Sequence, residues 1–335
     1  MGGRRGPHPL LRPTSAAAAC VAACIGWIAG CGDGSPSGLD VDSGTERALR
    51  SITAAELAGH VRAVAHDSMG GRATPSAGLE AAGRYVRDRF VVAGLAPAVG
   101  GSWDQAFEVF LPTPGTGLNV VGWLEGSDPA LRSEYVVVSA HMDHLGTGPS
   151  VGGDSIFNGA DDNASGTAAL LELAEALAGL DEPPARSVVF AAFGGEELGL
   201  VGSTYYAENP PFPIASTVAS LNMDMIGRNA PDSVAVLRSS PAIGMVVDAV
   251  AARNPGLGLA VAADPWPEES LLRRSDQWSF IRSGVAGLLV TSGLHADYHT
   301  RDDEVERIDI DKLERVARLV LLILLDLAGP DAWTP

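Results

Sequence analysis

Short apolar runs that alternate with amphipathic segments constrain the fold of this chain most. Six runs rich in Val, Leu and Ala are predicted to be buried strands: 118–124, 135–139, 187–193, 217–222, 233–237 and 286–291. Residues 77–91, 166–180 and 309–327 instead have the apolar spacing of helices. Strands that alternate with helices indicate an α/β sandwich with a mainly parallel sheet. The sequence contains no internal repeat, so we predict one folded domain over residues 51–330.

The charge of the chain restricts its partners. It has 23 basic and 41 acidic residues, and its formal net charge is −18. Because such a chain repels phosphate backbones, nucleic acid is not an expected partner. Hydrophobic residues make up 46% of the sequence, which is enough for a substantial core.

The first thirty residues have the layout of an export signal. A positively charged start and an uncharged apolar stretch at 16–28 precede Cys31. Ile28-Ala29-Gly30-Cys31 resembles the lipobox of bacterial lipoproteins, in which the cysteine is acylated; an ordinary signal cut near the same place is the alternative. We therefore predict a signal peptide over 1–30, lipidation at Cys31 and a flexible tether over 31–50. The protein would be exported and either anchored to the cell envelope by its lipid, in the outer membrane of a double-membraned cell, or secreted.

Five polar clusters follow predicted strands or begin a helix. Ligands bind outside the carboxyl ends of strands in open α/β sheets, so these positions are candidates for a site. The clusters are His141-Met142-Asp143-His144, residues 158–166, residues 193–203, Asn222-Met223-Asp224-Met225 and residues 297–303. Each cluster alone has an ordinary structural explanation, such as a helix cap, a buried ion pair or a solvated turn.

Taken together, the clusters match the ligand chemistry of zinc, which binds histidine nitrogen and carboxylate oxygen. The adjacent Asp161 and Asp162 repel each other unless a cation lies nearby. The side chains of Glu196 and Glu197 diverge, so one can bind a metal while the other acts as a base. Five ligands suit two metals about 4 Å apart that share a carboxylate and a water. The candidate ligands are His141, Asp224, His299, one of Asp161 and Asp162, and one of Glu196 and Glu197.

The motifs, in this order, resemble those of the secreted di-zinc aminopeptidases. Relatives of that family include aminopeptidase Y, the glutamate carboxypeptidases, the transferrin receptor and the glutaminyl cyclases. The motifs that carry the resemblance are His-x-Asp-His, Asp-Asp-Asn-Ala-Ser-Gly, Gly-Glu-Glu-x-Gly-Leu-x-Gly-Ser, Asn-Met-Asp-Met, and Tyr-His-Thr with an acid four residues after the histidine. The resemblance implies a single-domain three-layer sandwich, in which a twisted, mixed, mostly parallel sheet has helices on both faces. The segment 119–141 is too short for the domain that many relatives carry there.

The resemblance also implies two Zn²⁺ per chain. It assigns one ion to His141 and Asp224, the other to Glu197 and His299, and both to Asp161. It implies a cis peptide bond between Asp161 and Asp162.

The resemblance implies catalytic roles as well. Glu196 would be the general base that takes a proton from the metal-bridging water and passes it to the leaving amine. Tyr298 would donate a hydrogen bond to the oxyanion. Asp143, Asp162 and Asp303 would support the ligands from outside, the first and last as partners of the ligand histidines.

The predicted activity is hydrolysis of N-terminal peptide bonds in peptides with a free N-terminus. Three alternatives stay open: a glutamate-releasing carboxypeptidase, with Arg228, Arg273 and Arg274 as candidate carboxylate-binding residues; a single-zinc glutaminyl cyclase; and a non-catalytic, receptor-like binding protein. A Ser-Asp-His tripeptide common in the family is Ser275-Asp276-Gln277 here. This departure, together with the unassigned loop 264–274, leaves the side-chain preference of the pocket open.

Overall fold

A nine-stranded mixed sheet lies at the centre of the computed structural model, which describes residues 42–110 and 112–330. The strands are β1 (Ala96–Pro97), β2 (Asp104–Val109), β3 (Gly115–Leu124), β4 (Tyr135–His141), β5 (Gly146–Val151), β6 (Asp154–Phe157), β7 (Ser187–Phe193), β8 (Thr217–Met223), β9 (Ser233–Arg238), β10 (Ala260–Ala262) and β11 (Ala286–Thr291). The strand order in the central sheet is β1-β3-β7-β4-β8-β11-β9-β10, and β2 pairs with β3. A separate hairpin is formed by β5 and β6.

The four central strands, β7, β4, β8 and β11, are parallel to one another. Strand β3 is antiparallel to β7, and β9 is antiparallel to β11. The prediction of a mixed, mostly parallel sheet is therefore confirmed for the centre of the molecule. Because parallel strands end at the same edge, the residues that follow β4, β7, β8 and β11 are brought together there.

Eight α-helices surround the sheet in the part of the chain that the structure describes. They are α1 (Ser43–Ser51), α2 (Ala54–Val64), α3 (Ala77–Ala93), α4 (Gly166–Ala178), α5 (Val201–Glu208), α6 (Pro241–Arg253), α7 (Gln277–Arg282) and α8 (Ile310–Ala328). The local sequence determines where several of these helices begin and end. The hydroxyl of Ser76 caps α3 by accepting a hydrogen bond from Leu79 N, and Gly94 ends that helix in the left-handed conformation.

The alternation of side chains along β4 shows how the sheet is covered on both faces. Val136 and Val138 belong to the larger apolar cluster, which includes residues of α1–α4, α6 and α8. Val137 points to the other face and packs in a smaller cluster with Tyr206 of α5 and Phe280 of α7. The predicted three-layer arrangement is confirmed.

The structure differs from the predictions mainly near the start of the described chain. Helix α1 lies inside the predicted 31–50 tether, and its Ala48 and Leu49 are buried, so residues 43–50 are not a tether. The signal peptide and Cys31 lie outside the described residues, and their predictions stay predictions. Within the described residues, no helix is both long and apolar enough to cross a membrane.

Candidate metal centre

The ends of the four central strands carry most of the predicted site residues. His141 is the last residue of β4 and pairs in register with Phe193 of β7. Glu196 and Glu197 follow β7 within four residues, and Asp224 directly follows β8. Since all these strands run in the same direction, their end residues line one edge of the sheet, as the sequence predicted.

Asp162 lies between two groups of potential ligands. In the first group, His141 Nε2 lies 3.3 Å from Oδ1 of Asp162 and 3.3 Å from Oδ1 of Asp224. In the second, His299 Nε2 lies 3.2 Å from Asp162 Oδ2 and 3.2 Å from Glu197 Oε2. One carboxylate thus offers a different oxygen to each group, which is the arrangement a bridging ligand needs.

The bridging position was predicted for Asp161, and this prediction is wrong by one residue. The Asp161 carboxylate points elsewhere: its Oδ1 accepts a hydrogen bond of 2.6 Å from Gly227 N, and its Oδ2 lies 3.3 Å from His295 Nε2. The cis peptide bond is likewise between Asp162 and Asn163, not between the two aspartates. Sequence alone could not separate two adjacent aspartates, because their side-chain directions depend on the conformation of the loop.

The Asp-Asp-Asn-Ala-Ser-Gly loop is held by its own polar side chains. Asn163 donates to the carbonyl of Met223 at the end of β8 and accepts from Gly166 N and Met225 N. Ser165 donates to the carbonyl of Asp161. These bonds fix the loop against β8 and so orient Asp162.

Asp303 also holds this loop, which corrects its predicted role. Its carboxylate accepts hydrogen bonds from the backbone amides of Asp161 and Asp162 at 3.0 Å each, rather than contacting His299. Burial and the nearby charge of Asp161 raise the pKa of Asp303 to about 6 in the metal-free protein, although the two amide hydrogen bonds oppose this by lowering it. Asp303 therefore positions Asp162 through the backbone.

Asp143 contacts both His141 and the loop that carries the glutamates. Its carbonyl oxygen lies 3.3 Å from His141 Nδ1, and its carboxylate Oδ1 lies 3.7 Å from the same nitrogen. The carboxylate also accepts from Glu196 N at 3.2 Å and from the Thr74 hydroxyl at 3.1 Å. Asp143 thus lies beside Nδ1 of His141, the ring nitrogen that faces away from Asp224, as predicted. The backbone carbonyl of Asp143, rather than its carboxylate, is the nearer group.

Arg72 is an anchor that the sequence analysis missed. Its side chain is fully buried and donates to the carbonyls of Val64, Met142, Asn158 and Gly159. Burial lowers the pKa of Arg72 to about 10, against the opposing charges of nearby carboxylates. The guanidinium ties the loop after β4 to the loop before Asp161. In the sequence Arg72 follows Gly70 and Gly71, and no local pattern there predicts its buried contacts.

A pocket opens beside the two groups. It encloses about 410 Å³ including its mouth. Its polar wall includes Asp162, Glu196, Asp224 and Tyr298. Its apolar wall is formed by Met225, Leu271, Leu289 and Leu294. Glu196 and Tyr298, the two predicted catalytic residues, therefore face the same space as the shared aspartate.

The pocket makes both Glu196 and Tyr298 weaker acids than they would be in water. Burial raises the pKa of Glu196 well above its usual range in the metal-free protein, and the negative charge of Asp224 adds to the effect. Burial also raises the pKa of the Tyr298 hydroxyl, and the negative charges of Asp162 and Glu197 raise it further. Tyr298 thus stays a hydrogen-bond donor over the physiological pH range.

The donor set fits divalent cations. Two groups, His141–Asp162–Asp224 and His144–Asp162–Glu197, each bring three ligand atoms within 4.8 Å of one another. Burial would lower the pKa of His299, but its hydrogen bonds to Asp162 and Glu197 raise it to about 10 in the metal-free protein. Positive charge is therefore stabilised where the carboxylates converge, and a metal ion would replace these protons. His144 was part of a motif in the sequence but received no role there.

The three arginines considered as carboxylate binders are separated in space. Arg228 is paired with Asp297 at 2.6 Å, and Arg273 stacks on the ring of Trp278. Only Arg274 lines the pocket, where Glu269 lies 3.6 Å from its guanidinium. The altered tripeptide borders the pocket, since Ser275 is one of its lining residues, and Ser275 and Gln277 both accept hydrogen bonds from Asn222.

An open α/β sheet with two histidine–carboxylate groups that share one aspartate defines a candidate two-metal hydrolase. The chain belongs to Peptidase family M28, whose model matches residues 119–324. Leupeptin-inactivating enzyme 1 of Streptomyces exfoliatus is 31% identical over 169 residues, which are 50% of this chain and 34% of that enzyme. The chain thus spans about a third of that relative's length.

Solved structures share the fold. An aminopeptidase from Aneurinibacillus sp. strain AM-1 has a TM-score of 0.66 at 17% identity, covering 87% of this chain and 97% of that one. A glutaminyl cyclase from Porphyromonas gingivalis has a TM-score of 0.64 at 21% identity, covering 81% and 97%. The α/β architecture is confirmed. Because an aminopeptidase and a glutaminyl cyclase share this fold, the fold does not distinguish the two activities, and the residues of the site have to be compared.

Proposed function

We propose that this chain is an aminopeptidase that holds two zinc ions and hydrolyses the N-terminal bond of peptides with a free amino terminus. The observation that carries the proposal is the position of Asp162, whose two oxygens face two separate groups beside a buried glutamate. One ion would be held by His141, Asp162 and Asp224, and the other by Asp162, Glu197 and His299. Zinc at these positions would polarise the scissile carbonyl and lower the pKa of water.

Glu196 would act as the general base. It lines the pocket together with Asp162 and Asp224. It can therefore take a proton from the attacking water and deliver it to the amine that leaves. The hydrogen bond from Glu196 N to Asp143 fixes the residue relative to His141.

Tyr298 would stabilise the negative charge that develops on the carbonyl oxygen. It lies on the pocket wall, and its ring stacks on that of His299 with centroids 3.8 Å apart. A phenol that keeps its proton can donate a hydrogen bond to the oxyanion, which is worth about 10²–10³ in kcat at comparable sites.

The placement of the arginines supports aminopeptidase over carboxypeptidase activity. Recognition of a substrate carboxylate favours a bidentate guanidinium, often several. Among the pocket residues Arg274 is the one arginine, while Arg228 and Arg273 make contacts elsewhere. A glutaminyl cyclase with a single zinc would not need an aspartate whose two oxygens face two separate groups. The position of Asp162 therefore favours the aminopeptidase over that alternative. A non-catalytic receptor would have no need for a buried base at Glu196.

The location of the protein is a separate proposal. We propose that the chain is exported and acylated at Cys31, on the basis of the charged start, the apolar stretch and the lipobox-like residues 28–31. Labelling of cells with a radioactive or alkyne-bearing fatty acid should mark the wild-type protein but not Cys31→Ser. Label on Cys31→Ser would contradict acylation at this residue.

The proposed activity can be tested on the purified protein with Glu196→Gln as the decisive variant. We expect two zinc ions per chain in both wild type and variant, cleavage of aminoacyl substrates but not of N-acetylated or C-terminal reporters, and a loss of turnover of about 10²–10⁴ in the variant. Glu208→Gln, at the exposed end of α5, is the matched control. Ammonia release from N-terminal glutamine peptides, or turnover that survives in Glu196→Gln, would contradict the proposal.

A further inference from the structure

A third histidine lies at the second group of ligands. His144 Nδ1 is 2.8 Å from Glu197 Oε1 and 3.8 Å from Asp162 Oδ2. Its ring meets that of His299 edge-on, with centroids 5.8 Å apart. Two imidazoles thus approach the same pair of carboxylates from different sides.

The surrounding backbone leaves room for this ring. Gly159 adopts a left-handed conformation with φ of 54°, and a Cβ there would lie 2.5 Å from both Cγ and Cδ2 of His144. The side chain of His144 is buried, and its Nε2 has no hydrogen-bond partner among the described residues. The backbone nitrogen of His144 donates to the carbonyl of Arg72, the anchor of this loop. Glycine at position 159 therefore leaves free the space that the imidazole occupies beside Glu197.

We propose that His144 binds the second zinc ion through Nδ1, in addition to Asp162, Glu197 and His299. This inference rests on the proposed two-zinc function and extends its ligand set by one residue. It makes the two positions unequal, because the first would have one imidazole and the second two. A position with two imidazoles and two carboxylates completes the four ligands that zinc prefers, so the second ion is bound more tightly than the first.

The alternative is that His144 only donates a hydrogen bond to Glu197. His144→Asn separates the two roles, because an asparagine amide can reach the position of Nδ1 and keep that hydrogen bond but is a poor zinc ligand. Should this variant fail to fold, zinc X-ray absorption of the wild-type protein decides alone, because two imidazoles on the tighter ion support the ligand role and one contradicts it. His60→Asn is the matched control, since His60 is likewise paired with a glutamate, at 3.2 Å from Glu172, but lies on α2.

The experiment measures zinc affinity and zinc ligands rather than activity. Chelator competition gives the dissociation constant of each ion, and zinc X-ray absorption at one equivalent counts the imidazoles on the tighter ion. We expect His144→Asn to weaken the tighter ion by at least about 100-fold, beyond the 10–100-fold effect of residues that only contact a ligand, and to reduce its imidazoles from two to one. His60→Asn should change neither value.

Two results would overturn the inference in distinguishable ways. If wild type holds two zinc ions and His144→Asn keeps the same dissociation constants and imidazole count, His144 is not a ligand but the two-zinc function stands. If wild type holds fewer than two ions, the proposed function fails and the inference fails with it.

Discussion

Adjacent acidic residues in this chain have opposite surroundings. Asp162 faces three histidines, while Asp161 faces a backbone amide and His295. The two adjacent glutamates also differ in what they face: Glu196 lines the pocket, whereas Glu197 contacts His144 and His299. The chemistry of the site is therefore decided one residue at a time, and substitutions of neighbours should have different effects.

Substitution of the two aspartates tests this difference directly. Asp162→Asn removes the charge shared by both groups, so we expect the affinity for both zinc ions to fall by more than about 100-fold. Asp161→Asn should leave zinc affinity within about 10-fold of wild type and instead lower the free energy of unfolding by about 1–3 kcal/mol, because buried contacts to Gly227 and His295 are disturbed. Zinc titration and urea unfolding of both variants measure the two effects. An equal loss of zinc affinity in both variants would contradict the assignment of the bridging role to Asp162 alone.

The apolar wall of the pocket predicts the preferred substrate side chain. Met225, Leu271, Leu289 and Leu294 favour an apolar N-terminal residue over a charged one. Leu294 is 37% exposed, so Leu294→Asp should fold and place a negative charge at the pocket. We expect the ratio of kcat/KM for leucyl over lysyl substrates to fall at least about 10-fold.

Val151→Asp is the control for this prediction, since Val151 is 65% exposed on the β5–β6 hairpin and does not line the pocket. The ratio should stay at its wild-type value in that variant. An unchanged ratio in Leu294→Asp would show that this wall does not contact the substrate side chain.

At the scale of elements, the first helix belongs to the folded domain. Leu49 of α1 is only 3% exposed and lies in the larger apolar cluster, and its carbonyl accepts a hydrogen bond from Arg318 of α8. Leu49→Ala should therefore lower the free energy of unfolding by about 2–5 kcal/mol. Denaturant unfolding measures this, with Val92→Ala on the exposed face of α3 as control. Equal stability of both variants would mean that α1 behaves as the tether that the sequence predicted.

The elements show which parts of the fold a sequence can reveal. The six predicted strands were found because buried parallel strands are continuous apolar runs, and Ser187–Phe193 and Ala286–Thr291 match their predicted bounds. The hairpin β5–β6 was not predicted from the sequence, because Gly146–Val151 contains two glycines and a proline and is largely exposed, so it lacks the apolar run of a buried strand. Helix α1 escaped because its composition is polar and its apolar contacts come from residues distant in sequence.

The site was predictable to the level of motifs but not of single atoms. The strand-end motifs predicted His141, Glu197, Asp224 and His299, and the structure brings these four side chains together around Asp162. The choice between Asp161 and Asp162, the contact of Asp303 with backbone amides and the position of His144 all depend on loop conformation. Those conformations are set by Asn163, Ser165 and Arg72 through hydrogen bonds that no local pattern encodes.

At the scale of the whole molecule, several buried carboxylates lie close together around the candidate metal centre. Asp143, Asp162, Glu197 and Asp303 are all within range to raise the pKa of buried Arg72 against its desolvation. Concentrated buried carboxylates destabilise a fold unless cations compensate them. Metal ions at the proposed positions would supply that compensation, so the metal-free protein should be less stable than the zinc-bound one by RT ln(1 + [L]/Kd), about 2.7 kcal/mol at a zinc concentration 100 times Kd.

Asp276 makes this destabilisation depend on pH. It is fully buried, and neither of its carboxylate oxygens has a hydrogen-bond partner among the described residues. Burial raises its pKa from 3.8 to about 7 in the metal-free protein, and the charges of Asp143 and Asp224 add to the effect. Between these two values the folded chain holds a proton that the unfolded chain has released, so stability falls as pH rises from about 4 to about 7.

Asp276→Asn removes this titration and keeps the size of the side chain. The variant should therefore gain stability over wild type, and the gain should be larger by about 3 kcal/mol at pH 8 than at pH 5, since about two units of pKa separate pH 5 from the folded value. Urea unfolding of the chelator-treated proteins at both pH values measures it, with Asp88→Asn on the exposed face of α3 as the control for loss of one negative charge. Addition of zinc should reduce the difference between the two pH values, because nearby positive charge favours the ionised form of Asp276. A gain that is the same at pH 5 and pH 8 in the metal-free protein would mean that Asp276 is ionised throughout, and that a cation other than zinc compensates it.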